Sequence, residues 1–217
     1  MSEPKPTRVY QSHREHQRER ILEVAERLFV RDGIDRVSLS DIAREARLTR
    51  ATLYEYFPKT QEIAWAIFQQ MSAGMPADWL FQPDGSGFER VAHFTLALAG
   101  LLETHPQRLR FIVEFNMLYA REGDPARVRQ AWAERGDLLV QVIRQGIADG
   151  SIRPDLDPDL LAAAIFNLLN ALNSRFALLG DLIHEEYGQP VADMYREICR
   201  AFLRGIQPPS FPQEYDV

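Results

Sequence analysis

The chain has 217 residues, 46% of them apolar and 26% charged, with a formal net charge of -6. This fits a folded globular chain of one or two domains and excludes a disordered one. The single cysteine, Cys199, excludes an intramolecular disulfide, a zinc ribbon and an iron–sulfur cluster, and it fits a reducing, cytoplasmic setting. Charge is unevenly divided. Residues 1–60 carry 12 Lys+Arg against 10 Asp+Glu (net +2), whereas residues 61–217 carry 13 against 21 (net -8). That asymmetry is expected where only the first part meets an anionic partner. No stretch approaches ~18 uninterrupted apolar residues, the length of a membrane span, and the polar, charged first twenty residues do not read as a secretory signal.

The chain reads as all-α. Residues 1–13, with Pro4 and Pro6, are expected as a flexible arm. From Arg14 a helical pattern places Ile21, Leu22, Ala25, Leu28 and Phe29 on one side, and Gly33 stops it. Ser38-Leu-Ser-Asp41 is a capping box that starts a two-turn helix to about Ala46. Thr49 opens a second short helix with Leu53 inward, and Pro58 ends it. Gln61 to Met71 is a fourth helix. Residues 72–87, rich in Gly and Pro, mark a boundary. Beyond it the predicted helices are longer: from Ser86-x-x-Glu89 to Thr104, from Pro106 to Arg121, from Asp124-Pro125 to near Gly150, from Asp157-Pro158 to near Gly180, and from Pro190 to Ile206. The last presents Met194, Ile198, Ala201 and Phe202 on one face.

A long helix followed by two very short ones with a tight turn between them has helix-turn-helix geometry, in which the second short helix lies in a DNA major groove. The residues sharpen this. R-I-L-x-x-A-x-x-L-F-x-x-x-G (20–33), S-x-x-D-I-A-x-x-A (38–46) and T-R-A-T-L-Y-x-Y-F (49–57) resemble the TetR (tetracycline-repressor-like) family of bacterial transcriptional regulators. The resemblance implies a three-helix DNA-binding domain over 14–60 and a connecting helix over 61–71. It further implies a helical-bundle domain over 72–210 that dimerises and holds a small effector, with a tail at 211–217.

On that resemblance the DNA-binding residues are Ser38, Arg47, Thr49, Arg50, Ala51, Thr52, Tyr54, Tyr56 and Lys59. Thr49 caps the recognition helix, and Arg50, Ala51 and Thr52 form its first turn, which is aimed at bases. Arg50 can fork onto guanine or neutralise a phosphate, and Ala51 is small enough to touch a thymine methyl. Tyr54 and Tyr56 match phosphate-contacting positions. The chain departs from the family pattern at Arg47, which stands where glycine is usual. It departs again at Thr60, which replaces a common lysine that Lys59 precedes by one residue. Glu55 is either a solvated carboxylate or an acceptor for a cytosine amino group.

The C-terminal part carries no comparable motif. Phe94, Phe111, Phe115, Met117, Trp132 and Phe166 are core residues or the lining of a cavity for a mostly apolar effector. Asn167, Asn170 and Asn173 recur every three residues in an apolar helix, and Asn167 or Asn170 is expected to face the effector. By resemblance the last two helices pair across a homodimer, with Leu168, Leu172, Ile198 and Phe202 at the seam. The expected partners are a palindromic DNA operator, a small-molecule effector and a second copy, with no membrane. No catalytic constellation, metal ligand set or cofactor motif is present in the sequence: His13-x-x-His16 sits in a charged arm, and Cys199 lies in an apolar stripe. The reading is a repressor released by its effector. The alternatives are a regulator answering to a protein partner, and an all-helical carrier or enzyme with a vestigial motif.

Overall fold

The computed structural model describes residues 8–74 and 84–209. Among the described residues the chain forms nine α-helices and no strand: α1 (Arg8–Asp32), α2 (Leu39–Glu45), α3 (Arg50–Tyr56), α4 (Thr60–Ala73), α5 (Gly87–Thr104), α6 (Pro106–Glu122), α7 (Pro125–Ala148), α8 (Pro158–Tyr187) and α9 (Val191–Ile206). Two compact units result. One takes the described residues up to Met71 together with Glu114–Gly123, and the other takes the rest. Residues 61–71, expected as a connecting helix, cluster with the first unit.

In the first unit α1 begins at Arg8, so residues 8–13 are helical and not part of an arm. Pro6 is the last proline before α1, and no proline or glycine stands between it and Gly33. The stripe Ile21, Leu22, Ala25, Leu28 and Phe29 is buried. Gly33 ends the helix at φ 89, and its N–H donates to the Phe29 carbonyl. A 3-10 turn over Ile34–Arg36 follows and is pinned from α6. The Glu114 carboxylate accepts from Ile34 N–H at 3.3 Å, and Arg121 reaches Asp35 at 2.6 Å. The Trp65 indole N–H donates to Glu122, and the Trp65 ring meets Phe115 edge-on while Phe68 stacks on Phe115 at 4.2 Å.

Both halves of the α2 capping box are present. The Ser38 hydroxyl, then the Ser38 N–H, then Arg44, hold the Asp41 carboxyl down at about 2. A depressed carboxyl contributes fully above its ordinary value of 3.8, and the contribution is lost as pH falls through about 2. The protection of α2 amides, taken relative to the intrinsic exchange rate at each pH, should therefore fall between about pH 5 and pH 2, and Ser38→Ala should flatten that dependence. An equal pH dependence in the variant would contradict the assignment.

In the second unit α5, α7, α8 and α9 enclose a core of Phe88, Val91, Phe94, Leu139, Val142, Ile143, Ile165, Leu169, Tyr195, Cys199 and Leu203. The start of α5 meets the end of α7 backbone to backbone. A Cβ on Gly87 would lie 2.1 Å from Gly146 N. The first N–H groups of α5 are satisfied from the loop after α7: Gly87 N–H donates to Asp149 and Phe88 N–H to the Ser151 hydroxyl. Burial raises the Asp149 carboxyl, but hydrogen bonds from Ser151 and from the Gly87 and Ser151 N–H groups outweigh it and leave it lowered. Helix α8 runs through Gly180 to Tyr187, ending at Gly188 with φ 65. Gly180 stays in the helix because its neighbours are good helix formers and no proline follows until Pro190. By length and composition α8 is apolar enough to cross a membrane, though its buried stripe packs in the core and Asn167, Asn170 and Asn173 interrupt it. In α9 the buried face is Tyr195, Cys199, Leu203 and Ile206, one position on from the expected one. Met194, Ile198 and Phe202 flank it, and Ala201 is exposed.

Candidate nucleic-acid interface

Helix α3 is held by one inward residue and two caps. Leu53 is fully buried, and Phe57, just past the helix, is buried beside it. Thr49 Oγ1 accepts from Thr52 N–H at 3.1 Å and shares a 2.8 Å hydrogen bond with Thr52 Oγ1. One hydroxyl of that pair spends its proton on the other, so one proton remains to donate outward. Arg50, Ala51, Tyr54 and Glu55 are exposed along one side of α3. Thr52 and Tyr56 are partly covered, and Lys59 is exposed beyond the helix end.

The turn before α3 has Arg47 at φ 53, the single non-glycine residue of positive φ among the described residues. Leu48 N–H donates to the Ala43 carbonyl and Arg47 N–H to the Arg44 carbonyl, a Schellman ending whose left-handed position normally holds glycine. Arginine there costs on the order of 1–2 kcal/mol and places an exposed cation beside the start of α3.

Ser38, expected among the DNA-binding residues, is engaged in its own helix cap. Its hydroxyl donates to Asp41 Oδ2 and accepts from Asp41 N–H. Phosphate oxygens only accept, so this hydroxyl has no proton left for them. Two cations that sequence reasoning passed over lie at the other end of α3. The Arg14 guanidinium sits 5.7 Å from the Tyr56 ring centre and that of Arg18 sits 5.3 Å from the Phe57 ring centre. Their four-residue spacing placed them on one side of α1, but which segment that side covers is a tertiary fact. The exposed side of α3 is thus bracketed by Arg47 and Arg50 at its start and by Arg14, Arg18 and Lys59 at its end. A carboxylate, Glu55, stands on the exposed side of α3 itself.

Two family models match the chain: bacterial regulatory proteins of the tetR family over residues 21–67, and the tetracyclin repressor-like C-terminal domain over residues 121–191. The chain belongs to the TetR family. It is 26% identical over 157 residues to the HTH-type transcriptional repressor KstR2 of Mycolicibacterium smegmatis, covering 66% of this chain and 71% of that one. Its fold matches a putative transcriptional regulator from Saccharomonospora viridis in complex with choline (TM-score 0.71, 22% identity, 89% and 99% coverage). It also matches the regulator FadR from Bacillus subtilis in complex with stearoyl-CoA (TM-score 0.68, 16% identity, 87% and 99% coverage). The chain is a DNA-binding transcriptional regulator.

The residues expected around an effector separate. Phe94 and Phe166 meet edge-on at 5.5 Å, Trp132 lies 6.0 Å from Phe166, and Phe111 is buried in the same unit. Phe115 is not among them: its ring is taken up by Trp65 and Phe68 in the first unit. Met117 is exposed. Asn167 and Asn170 lie on the outside of α8, Asn167 donating to the Ala163 carbonyl, whereas Asn173 is buried. A three-residue step falls short of a full turn, so the three amides fan around the helix and only Asn173 keeps register with buried Ile165 and Leu169. Of the expected seam residues, Leu172, Ile198 and Phe202 pack on their own unit's core, and Leu168 is half-buried. The leucines that α8 leaves exposed are Leu160, Leu178 and Leu182, at 71%, 61% and 62%.

Proposed function

We propose that the chain is a homodimeric repressor that a small, mostly apolar effector releases from a palindromic operator. What carries this reading is the side of α3 that stands free, bracketed by five cations. A dimer presents two such helices about one helical turn (~34–36 Å) or a multiple apart, so the site it fits is a palindrome. The exposed stripe of α8, from Leu160 through Ala164 and Ala171 to Leu178 and Leu182, is the face to pair.

The effector reading rests on the aromatic group Phe94, Trp132 and Phe166, with Phe111, and on two polar atoms in the same unit. Among the described residues Asn173 Oδ1 and Tyr195 OH have no hydrogen-bond partner, and their residues are 7% and 1% exposed. Tyr195 packs against Phe176, one turn from Asn173. Such atoms cost about 1–3 kcal/mol each when left unpaired. The fitting effector is apolar with a neutral hydroxyl or similar group that both donates and accepts. Binding shifts the dimer towards a form that does not hold DNA, by no more than its difference in affinity for the two forms.

Melting the protein against apolar compounds with and without a hydroxyl tests this. At about a hundred times Kd an effector adds about 2.7 kcal/mol, which raises the melting point by roughly 5–10 °C for a chain of this size. The same compound should dissociate the protein from duplex DNA. Tyr195→Phe should leave the free protein as stable or more so, and should narrow the preference for hydroxyl-bearing compounds. If none of the compounds stabilises or releases the protein, the effector reading fails and a protein partner takes its place.

A further inference from the structure

We propose that Glu55 is a base-reading residue that selects cytosine in each half of the operator. The inference rests on α3 being the recognition helix, and it concerns a residue whose charge is wrong for a phosphate-binding face. At about 100° per residue, Ala51 and Glu55 point most nearly opposite Leu53, the one fully buried residue of α3. Glu55 is therefore at the crest of the exposed side, not on its flank. It lies one turn beyond Ala51, about 6 Å along the axis. A pose that brings Ala51 to the bases brings Glu55 to the bases about two steps further on.

Among the described residues nothing neutralises this carboxylate. Glu55 forms no ion pair or hydrogen bond among the described residues, while Arg14 and Arg18 are drawn over the Tyr56 and Phe57 rings. An ionised carboxylate only accepts hydrogen bonds. In the major groove the donors are the cytosine N4 and adenine N6 amino groups. Adenine sets its N7 acceptor beside N6, which repels the second carboxylate oxygen, whereas cytosine offers its amino group with no acceptor on its own groove edge. Guanine and thymine present only acceptors and a methyl group there. The same charge that costs affinity near phosphate becomes a filter: it is tolerated where a cytosine answers it and repelled elsewhere.

Parallel selections from a random duplex pool with the full chain, Glu55→Ala and Glu55→Gln test the assignment, followed by titrations on single-base variants of the recovered site. The wild type should recover a palindrome with one cytosine per half that Glu55→Ala no longer enriches. Glu55→Gln, which can both donate and accept, should move that position towards adenine. Replacing the cytosine should weaken the wild type about tenfold or more per half-site, and Glu55→Ala less than about threefold. Identical base preferences in all three proteins would overturn the proposal, as would a uniform gain in affinity for Glu55→Ala on every sequence, which would mark a merely repelled carboxylate. Recovery of no shared site by the wild type would overturn the recognition-helix reading itself. Glu55 is exposed, so matching circular dichroism spectra and melting curves are expected for all three chains.

Discussion

Arg50→Ala should weaken operator binding by about 1–3 kcal/mol per protomer, roughly 5- to 150-fold. The segment over residues 1–60 carries a net charge of only +2, and its two lysines are Lys5 and Lys59. In the proposed complex phosphate neutralisation falls mainly to arginine, and with ten carboxylates in the same segment to offset it, removing one arginine should be felt. The salt dependence separates the two ways Arg50 can act. On a phosphate, its loss flattens the slope of log K against log salt by about 0.9 per protomer and weakens all sequences alike. On guanine, its loss relaxes preference at one position per half-site. Arg14→Ala and Arg18→Ala, at the far end of α3, should show the first pattern. Anisotropy titrations at several salt concentrations check all three, and unchanged affinity in Arg50→Ala would remove it from the interface.

Gly87→Ala should cost about 3 kcal/mol or more and lower the melting point by roughly 6–12 °C. The added methyl would lie 2.1 Å from Gly146 N and 2.7 Å from the Val142 carbonyl oxygen. Both are backbone atoms, so no side chain can swing away, and α5 must shift from α7. That shift would break the hydrogen bonds from Gly87 to Asp149 and from Phe88 to Ser151. Gly100→Ala is the matched control. It lies in the same helix with nothing within 4 Å, so removing a mid-helix glycine there should stabilise by about 0.5–1 kcal/mol. Equal melting points for the two variants would contradict the close approach of α5 and α7.

The N-terminal helices were legible because their signals are local. A cap, a short apolar stripe and a breaker lie within a few residues of each helix end. Thr49, Pro58 and the Ser38–Asp41 box could therefore be placed without knowing what packs against them. Arg47 was legible as an oddity, and its left-handed backbone explains why. What escaped the sequence depends on packing at a distance: which arginines of α1 reach α3, that Ser38 spends its proton on Asp41, and that Phe115 belongs with Trp65. In α8 the apolar residues surround so much of the helix that periodicity alone did not distinguish the buried stripe through Ile165, Leu169, Asn173 and Phe176 from the exposed one through Leu160 and Leu178.

In the proposed complex the outer side of α3 enters the major groove, twice per dimer. Cys199 is buried and its thiol is pushed up to about 11 by burial, so a cysteine introduced at exposed Ala51 is the one that reacts at neutral pH. Ala51→Cys carrying an iron chelate that cleaves nearby DNA reports where that residue lies on a duplex bearing the selected site. Two cleavage clusters, symmetric about the palindrome and about one helical turn or a multiple apart, with the strand offset of the major groove, are the predicted result. A single cluster, or cleavage no greater than that by free reagent, would contradict it.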